Sequence, residues 1–238
     1  MAAYELLKKG LNDYMGEADD KVIESFKKLT EYMVEYNKNV NLTRITETDD
    51  VVKLHYLDSA AIFSLIDVKQ GASVIDVGTG AGFPGLVLKI LRPDIKLCLL
   101  DSSNKRIDYL KSAAKMLGLQ DIDFVHGRGE ELSHDVKYRE KFDFAVSRAV
   151  AQLQKLSELC MPYVKVGGKF VSYKGSDAQA EADMAKKAVS VLGGSDAKVI
   201  AVTIPECDVS HHLVVVDKVK GTPKNYPRKN AMIQKSPL

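Results

Sequence analysis

The segment VIDVGTGAGFPG, residues 74–85, constrains the chain more than any other. An apolar run ends in Asp76 and passes at once into Gly78, Gly80 and Gly82, with Pro84 and Gly85 opening a helical stretch. Glycine tolerates positive φ and lets a bound molecule come close to the backbone. A strand end feeding a helix N-terminus is where open α/β sheets bind their ligands.

The pattern on either side completes the sheet. Apolar runs predict strands at 73–78, 96–101, 122–126, 142–147, 169–174, 197–204 and 211–219, with helices over 84–92, 103–118, 151–162 and 176–192. Strands alternating with helices imply βαβ units and a mostly parallel sheet. Only PECDVSH separates the last two strands. A parallel crossover needs a dozen or more residues, so this pair is expected to be an antiparallel hairpin. Residues 1–66 keep helical spacing instead, through Leu6, Leu7 and Leu11, then Val22, Ile23, Phe26, Leu29 and Met33. The polar stretch NKNVNLTRIT at 37–46 interrupts them.

With 238 residues, 45% of them hydrophobic, the chain can bury one full domain and a modest addition. The expected division is a helical cap at 1–70, a core at 71–220 and a basic tail at 221–238. The formal net charge is only +2, but residues 218–238 hold six Lys/Arg and no Asp/Glu. Three widely spaced cysteines, Cys98, Cys160 and Cys207, form no C-x-x-C pair, so no metal is expected. Reduced thiols and the lack of an apolar run of about 20 residues fit a cytoplasmic protein without a membrane partner.

Gly80, Gly82 and Gly85 also satisfy the dinucleotide pattern G-x-G-x-x-G. Asp76 argues against that reading. A carboxylate at the turn opposes a pyrophosphate and favours a cationic amino-acid tail, such as the methionyl end of S-adenosylmethionine. The antiparallel last strand argues the same way. The fold class expected is therefore α/β, the doubly wound seven-stranded sheet of class I S-adenosylmethionine-dependent methyltransferases under an N-terminal helical cap.

On that sheet Asp101 closes the second strand, placed either to accept ribose hydroxyls or to cap the next helix. Gly129 and Glu130 follow the third strand, where a backbone N–H and a carboxylate recognise an adenine edge. Ser147 and Arg148 end the fourth strand, where methyl group and acceptor meet. Arg148 only donates hydrogen bonds, so the acceptor there should need no deprotonation and no general base is expected. Guanine N7 meets that condition, because it already exposes a lone pair beside O6. Lys174 ends the fifth strand on the same edge, where it can contact phosphate or guanine O6. His55 and Asp58 share a helix face, either bonded to each other or walling the site. His211 and His212 begin a strand and point to opposite faces.

NKNVNLT at 37–43, HYLDS at 55–59, DVGTGAGFPG at 76–85, SSNKRIDYL at 102–110, SRAVAQL at 147–153, YKG at 173–175 and YPR at 226–228, with a terminal PL, run in order along nearly the whole chain. Together they resemble the RsmG family of small-subunit ribosomal RNA guanine-N7 methyltransferases, also called glucose-inhibited division protein B. The resemblance implies S-adenosylmethionine as cofactor and 16S ribosomal RNA, free or in a small-subunit particle, as partner. It implies Gly78, Phe83, Gly129, Glu130 and Arg148 as cofactor-binding residues, which Gly80 of the turn and Asp101 of the second strand end are expected to join. It favours substrate contact by Asn41, Thr43 and Arg44, residue types otherwise at home in turns. Lys174, and Lys224, Arg228 and Lys229 of the tail, are the further expected RNA contacts. The tail departs from the family pattern at Ala231 and Ile233, where a Gly and a Pro are usual. Methylation of another base or of protein, and a binding module without catalysis, are the competing functions.

Overall fold

The computed structural model describes residues 2–238. The strands are β1 (Ser73–Val77), β2 (Lys96–Asp101), β3 (Ile122–His126), β4 (Phe142–Arg148), β5 (Val164–Lys174), β6 (Lys198–Val202) and β7 (His211–Asp217). They form one sheet in the order β3-β2-β1-β4-β5-β7-β6. All neighbours from β3 to β5 pair in parallel, whereas β7 runs antiparallel to both β5 and β6. The expected hairpin is present, with its second strand inserted between its first and β5. Strand order reverses between β1 and β4, and the crevice of a doubly wound sheet opens at that switch point.

Successive strand residues feed opposite layers. Val74, Leu97, Leu99 and Val215 join one apolar cluster, while Ile75, Cys98, Leu100, Val214 and Val216 join the other. The first layer holds the N-terminal helices α1 (Ala3–Met15) and α2 (Asp20–Asn37). It also holds a run, α3, built from Thr48–Asp50, Val51–Leu57, Asp58–Ala60 and Ile62–Leu65. Val51–Leu57 takes the wider π winding, which is frequent at functional sites. The same layer contains α4 (Gly85–Leu91) and α5 (Asn104–Leu117). Buried Tyr56 ties the cap together, packing on Phe26 at 4.6 Å between ring centroids and meeting Thr30 Oγ1 at 2.7 Å. The opposite layer contains α7 (Leu153–Cys160) and α8 (Ala178–Val191). The short α6 (Gly129–Leu132) follows β3.

The C-terminal segment is packed rather than loose, and it ends in a helix, α9 (Asn230–Lys235). Arg228 lays its guanidinium along the carboxylate of Glu158, which is 1% exposed, with contacts of 2.7 and 2.9 Å, and also donates to the Ser236 carbonyl. Arg139 donates to the carbonyls of Tyr226, Thr222 and Pro223. Lys218 is fully buried against the Met161 carbonyl and the Thr222 hydroxyl, and burial lowers its pKa to about 8. Two members of the basic run therefore serve the fold: the Arg228 guanidinium is engaged with Glu158, and Lys218 does not reach the surface. Lys224 and Lys229 remain exposed.

Removing one partner of a buried pair leaves the other charge uncompensated, a cost of about 3 kcal/mol. Arg228→Ala is expected to lower stability by that order and to speed amide exchange selectively over residues 222–238. Hydrogen exchange matching the wild type across that segment would contradict the anchoring role.

Candidate functional site

Four carboxyl ends of strands, those of β1, β2, β4 and β5, converge at the switch point, and the cap lies over them. Ser147 Oγ donates to the Val77 carbonyl at 2.8 Å and locks β4 to β1. Arg148 follows, 14% exposed in its side chain. It donates from Nη1 to the Leu54 carbonyl at 2.8 Å and to Asp58 Oδ2 at 2.7 Å, and from Nη2 to His55 Nδ1 at 3.0 Å. Its guanidinium also lies over the Phe83 ring, 5.4 Å from the centroid. Ala149 then takes φ +57°, a conformation costly for a residue with a Cβ, and turns the chain sharply out of the sheet.

Acceptance of the Arg148 hydrogen bond fixes the His55 tautomer. With Nδ1 accepting from Arg148, Nε2 carries the hydrogen and donates to Thr43 Oγ1 at 3.0 Å, and the Leu54 carbonyl 3.2 Å from Nδ1 is served by Arg148 instead. The ring stacks on Phe83 at 4.4 Å. Burial, helped by the Arg148 charge, lowers the His55 pKa to about 3. His55 and Asp58 do not bond to each other as their spacing suggested; Arg148 stands between them. Burial alone would raise the Asp58 pKa, but hydrogen bonds from His211 and Arg148 overcome it and the net shift is downward. His211 Nδ1 meets Asp58 Oδ1 at 2.9 Å, whereas His212 meets the Gly175 carbonyl, so the two histidines do diverge.

Two cavities share Arg148, His55, Ala149 and Val150 as a common wall. One, of about 420 Å³, lies over the glycine turn and is also lined by Leu42, Thr43, Gly78, Gly80, Phe83, Asp101 and Arg106. The other, of about 600 Å³, lies toward β5 and β7 and is lined by Ile45, Asp58, Tyr173, Lys174 and His211. A third recess, of about 220 Å³, continues from Gly78 and Asp101 to Gly129 and Glu130.

The glycine turn is held from inside. Asp76 is fully buried, and its Oδ2 accepts from Thr79 Oγ1 at 2.7 Å and from the Gly85 N–H at 2.8 Å. Burial raises its pKa to about 6, and it lines none of these cavities. The turn's own donors thus take one oxygen of the carboxylate expected to face a cationic ligand tail, while its buried Oδ1 has no hydrogen-bond partner among the described residues. A Cβ at Gly85 would lie 2.8 Å from Asp76 Oδ2, and Gly78 sits at φ +72°. Asp101 accepts from the Gly80 and Ser103 N–H groups, with Arg106 3.6 Å away, and it still lines the third recess.

The other expected residues divide. Lys174 pairs with Glu181 at 2.7 Å and donates to the Ala151 carbonyl, so it pins the loop after β4 while lining the larger cavity. Thr43 reaches the smaller cavity; Asn41 and Arg44 are exposed and line neither of the two. Arg106 and Val150, not singled out from sequence, line the smaller cavity beside the predicted residues. Glu130 is 8% exposed, and its Oε1 is buried without a hydrogen-bond partner among the described residues. A buried carboxylate oxygen facing a recess calls for a donor from a ligand, as an exocyclic amine supplies. No group of three or more His, Cys, Asp or Glu is placed to hold a metal ion among the described residues.

This sheet, with its glycine turn and the acidic recess beside it, defines a class I S-adenosylmethionine-dependent methyltransferase. Solved structures with the same fold include a SAM-dependent methyltransferase from Aquifex aeolicus, at TM-score 0.53 and 15% identity over 79% of this chain and 98% of that one. A precorrin-6y C5,15-methyltransferase from Geobacter metallireducens aligns at TM-score 0.52 and 11% identity, over 75% and 91%. A family model described as rRNA small subunit methyltransferase G matches residues 22–213. A protein of that name from Clostridium novyi is 45% identical over 99% of this chain and 97% of its own length. Another from Clostridium tetani is 43% identical over the full length of both. The chain belongs to the rRNA small subunit methyltransferase G family.

The depressed His55 pKa makes a signed prediction. Between its folded value of about 3 and its ordinary 6.5, the unfolded chain binds a proton that the native state does not. Stability from neutral His55 is therefore present above pH 6.5 and is lost as pH falls through that window. Asp76, raised from 3.8 to about 6, acts oppositely, favouring the native state at low pH and less as pH rises. His55→Gln should consequently lose less stability than the wild type between pH 7.5 and 4.5 in urea titrations. Parallel losses would contradict the assignment.

Proposed function

We propose that the chain methylates N7 of a guanine in 16S ribosomal RNA, with Gly78, Gly80, Phe83, Asp101, Gly129, Glu130 and Arg148 forming the cofactor site and the larger cavity receiving the base. The observation that carries this reading is the pair of cavities that meet at Arg148, with unsatisfied Glu130 in the recess that adjoins the first at Gly78 and Asp101. S-adenosylmethionine, when bound, supplies an electrophilic methyl group on a sulfonium. Glu130 is placed to accept from an adenine amine, and Asp101 from ribose hydroxyls in addition to its two backbone donors. Phe83 and His55 form a flat apolar wall that keeps water from the common boundary.

Guanine N7 bears no proton at neutral pH, so no side chain has to remove one. Arg148 holds the boundary in place and cannot act as a base. Alignment and exclusion of water supply the rate enhancement. A base buried in the larger cavity has left its stack, because an A-form duplex does not expose N7 to a protein pocket. Exposed Lys224 and Lys229 are suited to phosphates, and Asn41 and Arg44 to the rim of the bound RNA. Substrate RNA and the buried, unpaired thiols of Cys98 and Cys160 suit a cytoplasmic location. No helix among the described residues is long and apolar enough to cross a membrane.

The direct test is transfer of labelled methyl from S-adenosylmethionine to protein-free 16S RNA and to small-subunit particles, followed by nucleoside analysis. Label in 7-methylguanosine is expected; label in another nucleoside, or none with either substrate, overturns the reading. The cofactor site has its own test. A Cβ at Gly78 would lie 2.5 Å from Val150 Cγ2, at a φ that L residues rarely adopt. Gly78→Val should weaken S-adenosylmethionine binding in a folded protein because its side chain occupies space at the turn, the strain at positive φ, about 1–2 kcal/mol, being borne by free and bound protein alike. Undiminished affinity by calorimetry would remove the glycine turn from the site.

A further inference from the structure

We propose that the C-terminal segment is a wall of the nucleoside recess, and that the side-chain amides of Asn230 and Gln234 bind the adenosine end of the cofactor. This rests on the reading of the Glu130 recess as the adenosine site. The recess is lined on one side by Asp101, Ser102, Gly129 and Glu130, and on the other by Asn230 and Gln234 of α9. Val77, Leu100, Val150 and Leu159 complete it with apolar surface, so Asn230 and Gln234 are its only side-chain amides among the described residues.

The chemistry of the two sides is complementary. On the core side Asp101 and Glu130 only accept hydrogen bonds, while Ser102, Arg128 and the Gly129 N–H can donate. Adenosine has acceptors as well, on its ring nitrogens and ribose oxygens, and these need donors. Lys155 Nζ donates to Gln234 Oε1 at 2.9 Å, and Gln234 Nε2 donates to Asn230 Oδ1 at 3.4 Å. This chain orients both amides and ends in the Asn230 NH₂, a donor pair at the recess.

The segment is held firmly enough to form a wall. Ile233, between the two amides, is fully buried. Arg228, two residues before Asn230, is clamped on Glu158, and Gln154 donates to the terminal Leu238 carbonyl at 2.5 Å. Glu158, Lys155 and Gln154 all lie on α7, so one helix positions the whole segment. By contrast, Gln234 is exposed and Asn230 half-buried, so truncating their side chains leaves the anchors intact.

The test uses the full-length protein with S-adenosylhomocysteine and with adenosine as probes, read by calorimetry. The double variant Asn230→Ala/Gln234→Ala should bind both probes roughly tenfold more weakly, as expected for loss of two neutral hydrogen bonds. Its thermal midpoint should stay near that of the wild type. Glu130→Ala should weaken the same two probes. Normal binding by the double variant with weakened binding by Glu130→Ala overturns the inference and leaves the adenosine site standing; normal binding by both overturns the two together. Saturating the wild type with S-adenosylhomocysteine should also slow amide exchange over residues 222–238. Exchange unchanged by the probe would count against the wall independently of any substitution.

Discussion

One guanidinium joins the two layers that make the site. Arg148 projects from the end of β4 into a place where its charge is poorly solvated, and it is tolerated because Asp58, the Leu54 carbonyl and His55 Nδ1 take its donors. All three partners lie on α3, where the π-wound turn presents the Leu54 carbonyl and the His55 ring to the same cation. The cap is thereby registered on the sheet to within hydrogen-bonding tolerance. From this follow the neutral state and tautomer of His55, its contact with Thr43, its stacking on Phe83 and the boundary between the two cavities. Asp58 extends the network to His211 on β7, so the antiparallel strand is tied to the same centre.

A second consequence concerns what the site leaves free. Both oxygens of Asp58 are engaged, His55 has no available lone pair, and Asp76 is sealed beneath the glycine turn. Lys174 is paired with Glu181. Among these groups around Arg148, His211 lines the larger cavity and is the most loosely held, its Nε2 meeting only Cys207 Sγ at 3.8 Å. An acceptor that needs no deprotonation matches such a site, and the bound pair of ligands can be handled by shape and donors alone.

The sheet was legible in the sequence because its signals are local. β2 and β3 fall at the residues their apolar runs predict, and the short link before β7 correctly excluded a parallel crossover. β5 begins at Val164, five residues before its expected start, because Lys165–Gly168 reads as a turn yet continues the strand past an irregular register with β4. The four-residue α6 and six-residue α9 are too short to show a helical period. Contacts across the chain were not legible. Nothing near Arg148 announces Leu54 or Asp58, 94 and 90 positions earlier, and nothing near Arg228 announces Glu158. A run of positive charge reads as surface until its buried partners are known. For the same reason Asn230 and Gln234 carried no signal of their own.

The central claim is that the acceptor is a ring nitrogen already bearing its lone pair, set beside Arg148, so that transfer proceeds without a protein base. The rate of a single methyl transfer to 16S RNA, measured between about pH 6 and 8 with saturating cofactor, tests this most directly when wild type and His211→Ala are compared. The account predicts a flat profile for both enzymes and 7-methylguanosine as the product of both. A rate that climbs with pH in the wild type, with the climb abolished in His211→Ala, would show that the Asp58–His211 pair works as a base and would contradict it.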